Sequence, residues 1–277
     1  GRRHVSHWAW ELPQAPAAWA RALPYVDEVW APSAFTAQAL SELCGETPVR
    51  VAPYPVLALP APPPPRKTDG PVTVFFAFDL KSWMSRKNPQ GAIAAFRAAT
   101  QRTDRPARLR LKVSGADARP DALAALRRDL DGDPRIDVIL ERLSDAEMSA
   151  LVADSDIVLS LHRAEGFGLL LAEAMRAGVP VVATGWSGNL EFMDDAGAAL
   201  IPGRPAQAGP EAGDYAGGCW VEPDVEEAAV RLAALIDSPK ARADLGERGR
   251  RTIHARLGMD RWTTEVAGLL PATLKRT

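Results

Sequence analysis

Two glutamates frame a glycine-rich turn in the middle of the chain. Glu165 lies directly before Gly166-Phe167-Gly168, and Glu173 follows eight residues after Glu165. A glycine turn that leads into a helix leaves backbone N–H groups free to bind a phosphate or a sugar hydroxyl. A carboxylate on that helix can accept two hydrogen bonds from a diol such as a ribose, although glutamate is also common on exposed helix surfaces. The spacing predicts a site for an extended ligand that carries phosphate and sugar groups.

The segments around this turn predict a strand–helix–strand unit. Residues 156–161 are a short apolar run with β-branched side chains, which is typical of a buried strand. Residues 169–177 are rich in Ala, Leu, Met and Glu and predict a helix, with Gly178 placed to end it. Residues 179–184 predict a second buried strand. The turn is therefore expected at the carboxyl end of the first strand.

A basic loop is predicted at the end of another strand. Residues 72–78 predict that strand, and Asn88 or Pro89 begins the helix after it, which continues through Ala99. The candidates in this loop for binding a pyrophosphate are Ser82, Arg86 and Lys87. The alternative is that Arg86 and Lys87 form a solvated pair on the surface.

Strands alternate with helices from residue 72 onward, which predicts an α/β fold with a parallel, doubly wound sheet. Ligands of such sheets bind at the carboxyl ends of the strands. Ser187, Gly188 and Asn189 follow the strand at 179–184, so this loop is expected to face the same ligand. Residues 203–218 are glycine-rich and polar, and they predict a surface loop.

These motifs resemble the donor site of a known enzyme family. Glu165-Gly166-Phe167-Gly168-Leu169, Glu173-Ala174-Met175 and the segment 178–184 are similar to the signature of the retaining GT-B glycosyltransferases of family four. The two glutamates match the Glu-x7-Glu motif of that family. The resemblance implies a GT-B fold, a nucleoside-diphosphate sugar as the donor, and transfer with retention of the anomeric configuration.

The resemblance also assigns roles to single residues. Glu173 is expected to hold the ribose, and Glu165 is expected near the hydroxyls of the donor sugar. Lys87 matches the family's lysine, whereas the arginine about five positions earlier is missing, since Lys81 or Ser82 stands there. The expected donor-binding residues are Ser82, Arg86, Lys87, Gly166, Phe167, Gly168, Leu169, Glu173, Ser187, Gly188 and Asn189.

Three more residues lie close to these loops: His162 and Arg163 before the glycine turn, and Glu191 after the loop at 185–189. His162 and Arg163 either shape the pocket or lie on the surface. Glu191 is expected to hold the loop at 185–189 rather than to touch sugar.

The catalytic candidates are Glu165, Lys87 and, on the acceptor side, His7. A histidine beside tryptophans is often structural, and that alternative stays open for His7. Trp8 and Trp10 are candidates for stacking on sugar rings, with core packing as the alternative. Residues 1–11 as a whole suit the wall of a cleft or a short aromatic strand in a core.

Catalysis without a metal ion or cofactor is predicted. Asp154-Ser155-Asp156 has the spacing of an Asp-x-Asp metal motif but lies where a strand begins, on the side opposite the turn. A lysine and free N–H groups can stabilise a leaving diphosphate instead. The sequence does not favour a nicotinamide dehydrogenase, because residues 77–85, where its Gly-x-Gly-x-x-Gly turn should follow the first strand, contain no glycine.

Four segments are expected along the chain. Residues 1–56 resemble the end of the family's N-terminal, acceptor-side domain through Trp10-Glu11-Leu12 and Trp30-Ala31-Pro32-Ser33. The proline-rich residues 57–68 predict a linker, with an SH3-type ligand as the alternative. Residues 69–258 are the expected donor-binding domain, and residues 259–277 are expected to pack back on the N-terminal domain. The first residue is Gly1, which suggests a fragment whose first domain is incomplete.

Composition narrows the function classes further. The net charge of −2 gives no basic field that would indicate nucleic-acid binding. Two cysteines without ligand spacing indicate neither a disulfide framework nor a zinc site, which favours a reducing compartment. No apolar run reaches the ~20 residues that cross a bilayer. A cytoplasmic protein is predicted, and association with the inner face of a membrane is compatible with the sequence.

The predicted reaction is transfer of a sugar from a nucleoside-diphosphate sugar to a hydroxyl of a glycan, a lipid or another carbohydrate. A nucleotide-sugar epimerase or hydrolase would use much of the same site. A non-catalytic module that binds nucleotide sugars is the alternative from a different class.

Overall fold

The computed structural model describes residues 2–56 and 70–270. The predicted linker at residues 57–68 and the end of the C-terminal segment, residues 271–277, lie outside this part of the chain. The strands are β1 (Val5–His7), β2 (Glu28–Ala31), β3 (Val49–Val51), β4 (Val72–Asp79), β5 (Ala107–Ser114), β6 (Ile136–Ile139), β7 (Ile157–Ser160), β8 (Val181–Thr184), β9 (Ala199–Ile201), β10 (Gly203–Gln207) and β11 (Cys219–Pro223). The α-helices are α1 (Ala34–Cys44), α2 (Met84–Lys87), α3 (Pro89–Thr100), α4 (Pro120–Leu130), α5 (Asp145–Ala153), α6 (Leu169–Arg176), α7 (Val225–Asp237), α8 (Pro239–Leu257) and α9 (Met259–Leu269).

The larger sheet has six strands in the order β6-β5-β4-β7-β8-β9, and every pair is parallel. Its central strands are apolar on both faces because helices cover both: α3, α4 and α7 pack on one face, and α5, α6 and α8 pack on the other. The predicted α/β class with a doubly wound parallel sheet is confirmed. Strands β4 to β6 build one half of the sheet and β7 to β9 build the other, so the strand order reverses at the neighbouring pair β4 and β7. The loops after these two strands therefore flank the switch point where such sheets bind ligands.

Local capping residues mark where several helices begin. Asn88 accepts a hydrogen bond from the backbone N–H of Gly91 at the start of α3. The Ser144 side chain and Glu147 form a reciprocal capping box at the start of α5. Gly168 precedes α6 with φ +88°, a conformation that a glycine adopts without strain.

The smaller sheet has three parallel strands in the order β1-β2-β3. Its core includes Val29, Ala31 and Leu40 of α1. Helix α9 reaches this part of the molecule, since Trp262 donates from Nε1 to the carbonyl oxygen of Pro53 (2.7 Å). None of the helices within residues 2–56 and 70–270 is long and apolar enough to cross a membrane.

The expected surface loop at residues 203–218 is wrong. Strand β10 pairs antiparallel with β11, and a 3-10 helix, Pro210–Tyr215, follows β10. Ala212 and Tyr215 are buried and pack in one cluster with Trp10. The sequence of β10 did not predict a strand, because β10 is exposed and lacks the alternation of apolar and polar residues that marks a half-buried strand.

Candidate active site

The glycine turn, residues 165–169, is held in place by side chains at the start of α1, next to the smaller sheet. The carbonyl oxygen of Gly166 accepts a hydrogen bond from Ser33 Oγ (2.7 Å) at the start of α1, and Thr36 Oγ1 lies 3.2 Å from the same oxygen. Thr36 Oγ1 donates its one proton to the carbonyl oxygen of Trp10 (2.8 Å). A buried polar group is costly unless it is hydrogen-bonded, so these contacts hold the turn and the smaller sheet together.

The loop after β8 holds the other side of the turn. Gly188 donates its N–H to the carbonyl oxygen of Glu165 (2.7 Å), and the N–H of Glu165 donates to Ser187 Oγ (2.9 Å). A Cβ atom on Gly188 would lie 2.0 Å from the carbonyl oxygen of Gly166, so only glycine fits this approach. Ser187 has φ +78°, which is unusual for a residue other than glycine. The Ser187 side chain thus stabilises the glycine turn through a direct hydrogen bond.

His162 and Asn189 form a buried support behind this loop. His162 is fully buried, its Nε2 lies 3.1 Å from Asn189 Oδ1, and its Nδ1 lies 3.1 Å from Ser160 Oγ. Burial lowers the pKa of His162 to about 4, although the Glu165 carboxylate opposes this shift. The imidazole is therefore neutral at pH 7, and it donates from Nε2 to the amide oxygen.

The surface alternative for His162 and Arg163 is wrong. Arg163 donates to Glu222 (2.5 Å) and to the carbonyl oxygen of Ser85 (2.5 Å), so it ties the turn's entry to β11 and α2. Glu191, which was expected to hold its own loop, accepts a hydrogen bond from the N–H of Ala34 (2.7 Å) at the start of α1.

Four charged side chains, Glu11, Arg86, Lys87 and Glu165, form an ion cluster beside the turn. Lys87 Nζ lies 2.5 Å from Glu165 Oε2, and the Arg86 guanidinium lies 3.6 Å from Glu165 Oε1 and 3.7 Å from Glu11 Oε1. Arg86 also donates to the carbonyl oxygen of Ala164 (2.8 Å). The cluster joins the loops that follow β4 and β7 to the segment that follows β1.

Arg86 is the buried member of the ion cluster, and Glu11, Lys87 and Glu165 are half-buried. Arg86 is 3% exposed, so the alternative of a solvated surface pair with Lys87 is wrong. Burial alone would raise the pKa of Glu165, but the charges of Lys87 and Arg86 outweigh it and lower this pKa to about 2. Burial lowers the pKa of Lys87, which the Glu165 carboxylate opposes. Glu165 is thus ionised at neutral pH. The two terminal nitrogens of the Arg86 guanidinium are directed to Ala164, Glu165 and Glu11.

Glu173 lies on α6 in different surroundings. It is half-buried, which excludes the alternative of a fully exposed helix residue. Burial, and then the nearby charge of Asp145, raises its pKa. Within residues 2–56 and 70–270, no hydrogen bond or ion pair reaches its carboxylate. The structure leaves this carboxylate available to a ligand.

The turn also offers backbone donors. The N–H groups of Phe167 and Gly168 find no backbone acceptor in the described part of the chain, and Leu169 begins α6. The first N–H groups of any helix lack intrahelical partners. Ser82 lies half-buried in the 3-10 turn Leu80–Ser82 and does not join the ion cluster.

His7 lies beside the turn rather than in the ion cluster. Its ring is exposed, its Nε2 lies 2.9 Å from the carbonyl oxygen of Ala52, and it stacks on Tyr54. Tyr54 in turn meets Phe167 edge to face, with ring centroids 5.4 Å apart. Trp8, but not Trp10, lines an open cavity of about 400 Å³ with His7.

Two residues of the site were missed by sequence reasoning. Tyr215 donates its hydroxyl to Glu11 (2.9 Å) and stacks on Trp10, which is 6% exposed and packs in the core. Glu11 stands in the Trp-Glu-Leu stretch, so the family resemblance carried a signal for it. Tyr215 gave none, because it lies in the segment interpreted as a surface loop.

A metal-binding group is not found in the described part of the chain. No cluster of three or more His, Cys, Asp or Glu side chains in residues 2–56 and 70–270 could hold a metal ion. The positive charge near the turn comes from Lys87 and Arg86.

Comparison with known proteins places the chain among glycosyltransferases. A family model described as "Family 4 Glycosyltransferase in conflict systems" matches residues 34–268. The MMP alpha-(1->4)-mannosyltransferase of Mycolicibacterium hassiacum is 37% identical over 112 residues, which are 39% of this chain and 22% of that enzyme. This chain thus spans about a fifth of the length of that relative.

Solved structures show the same fold. The Anabaena protein HepE, in complex with UDP and glucose, superposes with a TM-score of 0.72 at 16% identity, over 97% of this chain and 71% of HepE. TarM of S. aureus, in complex with UDP and other ligands, superposes with a TM-score of 0.72 at 12% identity, over 96% of this chain and 50% of TarM. The expected GT-B type of α/β fold is confirmed.

Proposed function

The chain belongs to the family 4 glycosyltransferases of conflict systems, and we propose that it transfers a sugar from a nucleoside-diphosphate sugar to an acceptor hydroxyl with retention. One observation carries the proposal. At the switch point of the sheet, the half-buried Lys87–Glu165 pair, the N–H groups of Phe167 and Gly168, and Glu173 lie at one glycine turn and the helix that follows it. Within the described residues, no hydrogen bond reaches these N–H groups or the Glu173 carboxylate.

Lys87 and the turn would stabilise the leaving diphosphate. An ammonium has three donors, and Glu165 takes one of them, so two remain for phosphate oxygens. The N–H groups of Phe167 and Gly168 add fixed dipoles where negative charge grows. These groups supply the stabilisation that a metal ion supplies elsewhere, and we therefore propose metal-independent transfer.

The two glutamates would divide the donor between them. Glu165 stays ionised at neutral pH, so it accepts hydrogen bonds from sugar hydroxyls and does not act as a general acid. Glu173 would accept the two hydroxyls of the ribose. The UDP in the HepE and TarM structures supports a nucleoside diphosphate as the leaving group.

Arg86, Ser187 and Asn189 would position the site without touching the donor. All three side chains are buried, and their polar groups are directed to protein partners except for Arg86 Nε, which has no hydrogen-bond partner among the described residues. The close approach of Gly188 to Gly166 serves the same purpose. Ser82 remains a proposed phosphate contact.

The acceptor would enter from the smaller sheet. We place His7 there, because its Nε2 donates to Ala52 and its Nδ1 is then free to accept a hydroxyl proton. A carbohydrate acceptor, free or lipid-linked, fits the adjoining cavity with Trp8 and Trp19. Residues 2–56 and α9 would form this acceptor-side part, which the bond from Trp262 to Pro53 supports.

Calorimetric titration of UDP, GDP and ADP tests the proposal. We expect one diphosphate to bind with a micromolar Kd, and Lys87→Ala and Glu173→Ala each to weaken it at least tenfold (~1.4 kcal/mol). Lys240→Ala is the matched control, since Lys240 lies exposed on α8. Binding of none of the three would contradict the proposal.

Product analysis with the matching nucleotide sugar then separates the reaction classes. A glycosylated acceptor indicates transfer, free sugar indicates hydrolysis, and tight binding without turnover indicates the non-catalytic module. Transfer that survives a chelator supports the metal-independent mechanism.

A further inference from the structure

Lys112 is a buried cation that the proposed function does not use. It is 5% exposed at the carboxyl end of β5, and no carboxylate of the described residues lies within 4.0 Å of its ammonium. Lysine is almost never buried without a charged partner, because the desolvation of the ammonium is costly. Arg110, two residues earlier on the same strand, forms an ion pair with Asp154 (3.8 Å). Lys112 therefore calls for an explanation.

The protein satisfies Lys112 only in part. Its Nζ donates to Ser114 Oγ (3.1 Å) and weakly to the carbonyl oxygen of Val113 (3.3 Å). An ammonium has three donors, so one is left. Burial lowers the pKa of Lys112, and the more distant carboxylates of Glu141 and Asp79 oppose this shift.

The position of Lys112 links it to the candidate site. Leu109, Leu111 and Val113 face α3 and α4, so the alternate residues Lys112 and Ser114 face the side of α5 and α6. Lys112 pairs in register with Ala77 of β4 and Ile139 of β6. It therefore lies between the strand that leads to Lys87 and the strand that leads to Glu141.

Glu173 faces the same side. Helix α6, which carries Glu173, packs against α5, and Asp145 begins α5 only four residues after Glu141. The ribose that Glu173 would hold is thus near the end of β6. Lys112, Glu141 and Glu173 are here termed the base-side group, because a nucleotide whose ribose is held by Glu173 would direct its base towards the carboxyl ends of β5 and β6.

We propose that the ammonium of Lys112 recognises the base of the donor nucleotide by donating to a ring carbonyl oxygen, so that uracil or guanine is accepted and adenine is disfavoured. This inference rests on the proposed function, because it assumes that a nucleotide occupies the cleft.

The hydrogen-bonding edges of the bases support this choice. Uracil and guanine each carry a carbonyl oxygen next to a ring N–H, which matches an ammonium donor beside the Glu141 carboxylate. Adenine has an amino group in place of the carbonyl. Its N–H donors would face the donors of Lys112, and a buried donor without an acceptor is costly.

The test compares Lys112→Met with Arg110→Met in calorimetric titrations of UDP, GDP, ADP and inorganic pyrophosphate. We expect the wild type to bind UDP or GDP more tightly than ADP. Lys112→Met should weaken the preferred diphosphate at least tenfold (~1.4 kcal/mol) and change pyrophosphate binding less than twofold. Arg110→Met, on the same strand and face but nearer its start, should change neither.

Thermal unfolding separates specificity from folding. Methionine is apolar and of similar length, so Lys112→Met removes a buried charge without a cavity and should leave Tm equal or higher. Three results would overturn the inference: tighter binding of ADP by the wild type, equal loss for all diphosphates and pyrophosphate, or no loss. Binding that depends on Lys87 but not on Lys112 refutes this inference alone, whereas no binding by the wild type refutes the proposed function as well.

Discussion

The ion cluster and the base-side group lie at the same edge of one sheet but differ in how their charges are satisfied. In the ion cluster, Glu165 faces Lys87 and Arg86, and Arg86 also faces Glu11. In the base-side group, Glu173 has no partner in the described part of the chain, and Lys112 has no carboxylate within 4.0 Å. One glutamate of the Glu-x7-Glu pair belongs to each.

This difference indicates which groups the protein arranges for itself and which it keeps for a ligand. A buried charge with partners becomes costly only when one partner is removed. A buried charge without partners is costly as it stands, and natural proteins retain such costs mainly at functional sites. Substitutions should therefore destabilise the ion cluster and spare or stabilise the base-side group.

Removing the central cation of the ion cluster should have the largest effect. Arg86→Met leaves the carboxylates of Glu11 and Glu165 with less compensation in a buried site. We expect a loss of about 3–5 kcal/mol in the free energy of unfolding, measured by urea denaturation.

The matched variant is Lys112→Met, which removes a cation of similar burial from the base-side group and should cost nothing. Pairing Arg86→Met with Glu11→Gln should restore part of the loss, because it removes one of the stranded charges. Equal destabilisation by Arg86→Met and Lys112→Met would show that the two regions do not differ.

A smaller loss of stability is expected from a substitution at Gly188, where the backbones of two loops meet. Gly188→Ala places a methyl group against the carbonyl oxygen of Gly166, so two loops must separate. We expect a loss of about 1–3 kcal/mol in the free energy of unfolding, with weaker diphosphate binding. Gly268→Ala on α9 is the control, since its Cβ meets open space, and it should gain about 0.5–1 kcal/mol. Unchanged stability of Gly188→Ala would mean that the turn is not held at this point.

The sequence predicts the parts of this site that residues close together in the chain form, and it does not predict contacts between residues far apart in the chain. The glycine turn and the two glutamates lie within nine residues, so their spacing alone indicates a ligand-binding turn. The contact between Tyr215 and Glu11 joins residues 204 positions apart, and no periodicity records it. The alternative of a solvated surface pair for Arg86 failed for the same reason, because its partners Glu11, Glu165 and Tyr215 lie on three separate segments.

Lys112 shows a similar limit. Arg108, Arg110 and Lys112 alternate with apolar residues, which is typical of a strand with one solvated face. Only the topology reveals that β5 lies between β4 and β6 with α5 and α6 across this face. The fold class was predictable because apolar runs and helix caps are local signals, whereas the burial of a polar face depends on the order of the strands.

The smallest and most direct comparison of the two regions is the pH dependence of stability of Glu165→Gln and Glu173→Gln. The pKa of Glu165 is lowered from 4.5 to about 2 in the folded state, so its ionised form stabilises the fold above pH 4.5. This contribution is lost as the pH falls from 4.5 towards 2. The pKa of Glu173 is raised, so its ionised form opposes folding, and stability is lost as the pH rises through its folded-state pKa.

The two variants should therefore depart from the wild type in opposite directions at neutral pH. Glu165→Gln should be less stable than the wild type at pH 7 and approach it in acid, whereas Glu173→Gln should be more stable at pH 7 and match it below pH 4.5. Urea denaturation at a series of pH values measures both differences. If both variants shift stability in the same direction, the carboxylates share one environment. Opposite shifts instead identify Glu165 as a part of the fold and Glu173 as a group whose partner is the ligand.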